Sequence, residues 1–301
     1  MTTKLRSEDR SNLVGSIWMV ASMAAFSAED ALVKAAAEVL PVGQILCLFG
    51  LGGMLVFAGI AKRNREPLFT ADARAPIMLV RMLLEVTGRL FYVLAIALTP
   101  LSATTVILQA TPLVVVAGAA MVFHEQVGIR RWMAVLVGLL GVIVIVGPGT
   151  DGFSMLSMLA VMGMLGFAGR DLASRAAPAR VSTSILGLYG FLSVLVAGVM
   201  SSLWRGEWFV WPTGKVSFCL LGAVLVGVAA YGSLMKAMRT GEVSAVTPFR
   251  YSRLLFGVAF GVLLFGERLN LQMMVGSGLI VLSGLFIIWR KRAPVPKVEF
   301  S

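Results

Sequence analysis

The sequence predicts an all-α membrane protein with ten transmembrane helices arranged as two inverted five-helix repeats. The first observation is composition: 58% of the 301 residues are hydrophobic, 14% are charged, and mean hydropathy is +0.90, above the roughly 45–50% apolar share of soluble domains. The second is that the apolar runs are continuous over about 20 residues, the length of a spanning helix. Barrel strands alternate over about ten residues, so an outer-membrane barrel is excluded. The third is an internal repeat, described below.

The apolar runs, separated by glycines, prolines and charges, predict ten spans with no room left for a soluble catalytic domain. They cover 13–37, 42–61, 77–98, 101–122, 132–147, 154–174, 181–203, 216–235, 244–265 and 272–289. The first run follows a basic leader, as in a signal peptide. Because it continues to about Ala37, longer than a usual signal core, we expect a helix that stays in the protein.

The net charge of +11 has a simpler explanation than nucleic-acid binding. If the N-terminus is cytoplasmic, seventeen lysines and arginines fall in inside segments, whereas only Arg205, Lys215 and Arg268 fall in outside loops. Cytoplasmic loops of membrane proteins carry such an excess. The sequence therefore predicts a multi-pass membrane protein with cytoplasmic tails at 1–12 and 290–301, with membrane lipid and no nucleic acid among its partners.

Shifting the chain against itself by 142 residues aligns 102–125 with 244–267. The coincidences include Ser102/Ser244, Ala103/Ala245, Thr105/Thr247, Val116/Val258, Ala117/Ala259, Phe123/Phe265 and Glu125/Glu267. The predicted repeats are 13–147 and 154–289. Since each holds five spans, the second enters the membrane upside down, which is the plan of many secondary transporters with a substrate site near the midplane.

Two motifs carry a family resemblance: Pro-Leu-Ser-Ala-Thr-Thr at the start of the fourth span (100–105) and Gly-Glu-Arg-Leu after the ninth (266–269). With the ten-span repeat plan, they resemble the drug/metabolite transporter (DMT) superfamily, EamA type, and within it the aromatic amino-acid exporters called YddG. The resemblance implies a bacterial inner-membrane exporter whose central cavity is lined by both halves. Glu125 and Glu267 match while their neighbours differ, which indicates a structural cap or hinge at helix ends.

The third span places Arg81, Glu85, Arg89 and Tyr92 on one helix face. One interpretation is an internal ion ladder in which Glu85 pairs with both arginines and supports packing. The other is functional. Arg89 lies about 18 Å into the span by helix rise, near the midplane where a transported carboxylate would sit.

The ninth span holds Arg250, Tyr251 and Arg253 just after Pro248. A proline inside a spanning helix frees a backbone carbonyl and favours a local break, and transporters place substrate sites at such breaks. The two arginines need anions, which are Glu85, Asp171 or a substrate carboxylate. Snorkelling to the cytoplasmic surface is the alternative, and it is stronger for Arg250.

In the first span Trp18, Phe26 and Asp30 recur on one face, with Lys34 continuing the row. Such a stripe indicates either packing or a pore-facing wall, and Asp30–Lys34 has the spacing of a structural i,i+4 pair. Asp30 or Glu29 is a candidate to hold a substrate ammonium or a coupling proton. Tyr231 and Gln109 are weaker candidates.

Enzyme motifs are absent from the sequence: there is no Gly-x-Ser-x-Gly, His-Glu-x-x-His or P-loop. The single histidine and the distant Cys47 and Cys219 do not make a usual zinc site. We therefore expect no enzyme and no cofactor or metal. The predicted function is export of small amphipathic metabolites, including aromatic amino acids, by alternating access. The alternatives are a nucleotide-sugar or drug carrier of the same superfamily and, from another class, an intramembrane enzyme or lipid-handling protein.

Overall fold

The computed structural model of the protein describes residues 2–69, 72, 75–122, 129–146, 155–176, 180–240 and 247–289, and the regular secondary structure of this part of the chain is entirely helical. The helices are α1 (Thr2–Ala37), α2 (Val42–Arg63), α3 (Pro76–Leu98), α4 (Leu101–Leu108), α5 (Thr111–Val122), α6 (Ile129–Val146), α7 (Ser157–Ala176), α8 (Thr183–Arg205), α9 (Gly214–Thr240), a 3₁₀ helix (Thr247–Tyr251), α10 (Ser252–Phe265) and α11 (Leu271–Trp289).

Local sequence explains where several helices begin and end. Pro76 occupies the first turn of α3, where its missing N–H costs nothing. Ser182 caps α8 by accepting a hydrogen bond from the Ile185 backbone N–H at 3.2 Å, and α8 ends at Gly206, whose φ of 60° lies in the left-handed region.

Five helical segments of the described chain are long and apolar enough to cross a bilayer. They are Leu13–Ala37, Val42–Arg63, Leu101–Val122, Thr183–Arg205 and Gly214–Leu234. Large apolar side chains on the bundle's outside are widely exposed, among them Leu83, Leu136, Leu225 and Leu263. A soluble protein buries such a surface, so these faces are suited to lipid.

The helix contacts follow a two-fold pattern that exchanges the halves. The first span of one repeat packs against the third span of the other in both directions: α1 contacts α9, and α7 contacts α3. The pairs α2–α8, α4–α10 and α6–α11 each join a span to its own counterpart in the other repeat. This arrangement is that of two inverted five-helix repeats, as the sequence predicts.

Glycines let the paired helices approach closely. A Cβ atom added to Gly166 of α7 would lie 2.5 Å from Cα of Gly88 on α3, and one added to Gly50 of α2 would lie 2.4 Å from the Leu195 backbone nitrogen on α8. Membrane helices have no hydrophobic driving force between them in lipid, so close backbone packing carries their association.

The fourth span is not continuous, which corrects the prediction of one helix over 101–122. It is interrupted at Gln109 and Ala110, between α4 and α5. The ninth span changes from a 3₁₀ helix to α10 after Tyr251, which is the local break predicted from Pro248. Since Gln109 and Tyr251 are 142 residues apart, both repeats break at the same position.

Candidate functional site

The central cluster is formed by Glu29 and Asp30 of α1, Arg89 and Tyr92 of α3, and Arg253 of α10. Arg89 Nη1 lies 2.9 Å from Glu29 Oε1, and Arg253 Nη2 lies 2.6 Å from Asp30 Oδ2. The Tyr92 hydroxyl donates a hydrogen bond to Asp30 at 2.9 Å. Three helices from both repeats therefore meet at two arginine–carboxylate pairs, and the cluster has no net formal charge.

Two phenylalanine rings flank the guanidinium groups of the central cluster. Arg89 Cζ lies 5.0 Å from the centroid of Phe49 on α2, and Arg253 Cζ lies 5.2 Å from that of Phe26 on α1. Cation–π contacts of this kind attract a guanidinium group to the face of an aromatic ring. The site thus combines a polar centre with aromatic surfaces.

The central cluster keeps polar atoms without partners among the described residues. Oε2 of Glu29 and the Nε atoms of Arg89 and Arg253 are buried and make no hydrogen bond there. Glycine at position 227 leaves space beside the free Glu29 oxygen, because a Cβ there would lie 3.0 Å from it. Buried polar groups are nearly always paired, so one acceptor and two donors of this cluster stand out as unsatisfied within the described part of the chain.

A second group, the Arg170 cluster, consists of Arg81, Glu85, Arg170, Asp171 and Arg250. Arg170 Nη1 lies 3.1 Å from Glu85 Oε1, and Arg170 Nη2 lies 2.7 Å from Asp171 Oδ1. Arg81 and Arg250 stand at the two ends of this network, each 3.9 Å from a carboxylate oxygen. With three bases and two acids, the cluster has a formal charge of +1.

At the opposite end of α3, Glu267 caps a helix of the other repeat. Its carboxylate accepts hydrogen bonds from the backbone N–H groups of Leu101, at 2.6 Å, and Ser102, at 2.9 Å. Lys34 lies 3.7 Å from Glu267 and donates to the Thr99 carbonyl oxygen at 2.8 Å. The expectation of a helix cap is confirmed for Glu267, whereas Glu125 lies outside the described residues.

Two predicted pairings along single helices are wrong. Glu85 does not pair with Arg89 within the described ion pairs, since Arg89 binds Glu29 of α1 instead. Asp30 pairs with Arg253 rather than with Lys34. In both cases a neighbouring helix offers a closer partner of opposite charge than the next turn of the same helix.

The other candidates from the sequence lie around these clusters. Gln109 Nε2 donates to the backbone carbonyl of Arg250 at 3.2 Å, so the two helix breaks touch. Trp18 lies against Lys236, with the ammonium 4.5 Å from the ring centroid. The Tyr231 ring packs edge-on against Phe57 at 5.4 Å between centroids. Tyr251 is buried, and its hydroxyl has no partner among the described residues.

The sequence brought Arg89, Tyr92, Arg253, Phe26 and Asp30 forward, and the structure places these five together. Phe49 was missed, because an isolated aromatic residue inside an apolar run carries no periodic signal. Asp171 is among the anions expected for the arginines of the ninth span, and it lies 3.9 Å from Arg250, whereas Arg170 is visible in the sequence only as a charge inside the sixth span. Their inclusion depends on the packing of α7 against α3.

Known proteins resemble the chain over most of its length. The model of the EamA-like transporter family matches residues 13–147 and 154–289. A riboflavin transporter of Vibrio cholerae is 28% identical over 69% of this chain and 70% of its own length. An S-adenosylmethionine uptake transporter of Rickettsia felis is 22% identical over 96% of this chain and 97% of its own length. A pseudopaline exporter of Pseudomonas aeruginosa is 27% identical over 86% of this chain and 90% of its own length.

A known crystal structure superposes on 91% of this chain and 96% of its own, with a TM-score of 0.62 and 20% identity, which shows a shared fold. The three relatives are named for three different molecules and include both an uptake protein and an exporter. The resemblance to aromatic amino-acid exporters therefore stays a prediction.

Proposed function

The chain belongs to the EamA-like transporter family, and we propose that it exports small amphipathic amino acids, including aromatic ones, across the bacterial inner membrane. Membership makes the protein a multi-pass membrane transporter of small metabolites, and the alternative of an intramembrane enzyme is set aside because its relatives are transporters. The identity of the substrate and the direction of transport are the parts that we propose.

The observation that supports an amino acid is the set of unpartnered atoms in the central cluster. The two free Nε donors of Arg89 and Arg253 suit a carboxylate, because a guanidinium offers a planar fork to two oxygens. The free Oε2 of Glu29 suits an ammonium group. A zwitterion supplies both charges at once and leaves the neutral cluster neutral, whereas a single charge would have to be buried without compensation.

The aromatic walls support a substrate with an apolar or aromatic side chain. Phe26 and Phe49 each stack on one arginine of the pair, so a ring that enters between them stays in apolar contact while its charged end reaches the guanidinium groups. Each aromatic contact of this kind contributes about 0.5–1.5 kcal/mol beyond its area.

Alternating access would follow from the two helix breaks. Gln109 and Arg250 meet where α4 joins α5 and where the 3₁₀ helix joins α10, and discontinuous helices near the midplane are typical of secondary transporters. The Glu267 cap holds α1, α4 and α10 together at one end. In this proposal that end is closed. The Arg170 cluster, in which the side chains of Arg170, Asp171 and Arg250 are more than one quarter exposed, faces the other side.

The test is counterflow in proteoliposomes with a panel of labelled compounds. We expect preloaded L-phenylalanine or L-tryptophan to drive uptake of the labelled amino acid. Riboflavin and S-adenosylmethionine belong in the panel because relatives are named for them. Exchange of either of those two without any amino-acid exchange would overturn the proposed substrate class while leaving the family unchanged.

A further inference from the structure

We propose that the Arg170 cluster is an entrance site that binds the carboxylate of the transported molecule before it reaches the central cluster. This inference rests on the proposed function for the identity of the molecule, although the binding site itself can be tested separately. The argument has three parts: the charge of the cluster, its unpartnered donors, and its position along the helices.

The charge of the Arg170 cluster is unbalanced, unlike that of its neighbours. The central cluster pairs two arginines with two carboxylates, and Lys34 pairs with Glu267. The Arg170 cluster has three arginines and two carboxylates. A charge without a partner is costly within a membrane span, and this cluster is partly exposed at Arg170, Asp171 and Arg250, so one further anion from outside would balance it.

The donors that an anion needs are present at both ends of the network. Nη1 of Arg81 and Nε of Arg250 are buried and without hydrogen-bond partners among the described residues. Arg81 itself is only 4% exposed. Its Nη2 atom, like Nη1 of Arg250, is 3.9 Å from the nearest carboxylate oxygen, which is an ion pair too long for a hydrogen bond. Nε of Arg81 donates a hydrogen bond to Ser174 Oγ at 2.9 Å, so this arginine is fixed in place and Nη1 is its unpartnered donor, while Nε is the unpartnered donor of Arg250.

The position of the cluster places it at one end of the route to the central site. Arg81 lies in the first turns of α3, two helical turns before Arg89 on the same face. Arg250 lies in the 3₁₀ helix, one turn before Arg253. In the orientation expected from the charge distribution, this end faces the cytoplasm. Arg81 and Arg250 thus each precede an arginine of the central cluster along the chain, which places the Arg170 cluster on the cytoplasmic side of the central cluster.

The two sites should differ in the ligand charge that they accept. The positively charged Arg170 cluster has a place for a carboxylate alone, whereas the neutral central cluster favours a zwitterion. The probe is therefore labelled 3-phenylpropionate, which has a ring and a carboxylate but no ammonium group. Its binding to the full-length protein in detergent is measured by equilibrium dialysis, so no transport activity is needed.

We expect the wild type to bind 3-phenylpropionate and Arg250→Gln to bind it about ten-fold more weakly, since a hydrogen bond to a charged group is lost. Arg250→Lys should recover part of the affinity by restoring the charge. Arg205→Gln is the matched control, because Arg205 is a half-exposed arginine near the opposite end of the bundle that pairs with Glu207. Size-exclusion chromatography checks that each variant is folded.

The central double variant Glu29→Gln with Arg89→Gln separates the two proposals. We expect it to keep 3-phenylpropionate binding while its affinity for L-phenylalanine falls roughly ten-fold to a hundred-fold. No binding by the wild type, unchanged binding by Arg250→Gln, or loss of binding in the central double variant would each overturn the entrance site. If only the amino-acid exchange fails while Arg250→Gln still weakens probe binding, the proposed function fails and the entrance site stands.

Discussion

At the residue scale, each acid of the central cluster is held by an arginine from another helix. Glu29 is 1% exposed and has Arg89 as its ion-pair partner, while Asp30 is 2% exposed and has Arg253 and Tyr92. Breaking a buried pair from one side leaves an uncompensated charge, which costs about 3–5 kcal/mol. The same residues therefore serve stability and, in our proposal, substrate binding.

The first prediction separates these two roles. Arg89→Gln should lower the free energy of unfolding by about 3–5 kcal/mol, because Glu29 is left unpaired. The double change Glu29→Gln with Arg89→Gln should recover most of that loss and yet bind L-phenylalanine roughly ten-fold to a hundred-fold more weakly. Chemical unfolding in detergent and a binding titration measure the two effects.

The control for this prediction is Glu85→Gln combined with Arg89→Gln. Because Glu85 pairs with Arg170, this double change should not recover stability. Recovery by Glu85→Gln would mean that the third span works as an internal ion ladder. An unchanged affinity of the Glu29–Arg89 double variant for L-phenylalanine would mean that this pair is structural and does not bind the substrate.

At the element scale, helix pairs are joined by backbone approach at glycines. Gly88 and Gly166 place α3 and α7 in direct backbone contact. Gly88 is next to Arg89 on α3, and Gly166 lies one helical turn before Arg170 on α7. The relative position of these two helices sets the distance between Glu85 and Arg170. A substitution that moves α3 relative to α7 should therefore also change the distances within the Arg170 cluster.

The second prediction compares the same substitution at two helical glycines. Gly166→Ala adds a methyl group 2.5 Å from backbone atoms of Gly88, which no side-chain rotation can relieve, so overpacking should cost about 1–3 kcal/mol. Gly59→Ala meets nothing within 4 Å and should stabilise α2 by about 0.5–1 kcal/mol, since alanine favours helix. Thermal unfolding in detergent distinguishes them, and equal effects of the two changes would contradict the close packing.

At the scale of the whole molecule, the two-fold arrangement puts equivalent elements at opposite ends of the bundle. The loop 207–213, between α8 and α9, lies at one end, and the exposed turn that follows α2 at Asn64 lies at the other. Trp208 and Trp211 of the loop are 88% and 85% exposed, as expected of tryptophans at a membrane interface.

The third prediction concerns orientation. In a protein with Cys47 and Cys219 replaced by alanine, Trp208→Cys should react with a membrane-impermeant maleimide in intact cells, because the basic residues concentrate at the other end. Asn64→Cys is the matched control and should react only after permeabilisation. The reverse labelling pattern would place both termini outside the cytoplasm.

The sequence by itself determined the spans, the family and the repeat. Hydropathy sets which segments cross the membrane, since each must bury about 20 apolar residues whatever its neighbours are. The repeat offset of 142 residues makes Gln109 and Tyr251 equivalent positions, but the sequence predicts a break only in the ninth span and not at Gln109. Pro112 near the start of α5 is the one local signal for it.

Only the tertiary structure decided which charges pair. The spacing of Arg81, Glu85 and Arg89 says that they share a helix face, but it does not say which helix lies opposite. The packing of α1 against α3 brings Glu29 next to Arg89, and the packing of α7 against α3 brings Arg170 next to Glu85. An ion pair in a low-dielectric interior forms wherever opposite charges come closest, and that distance is set by helices far apart in the sequence.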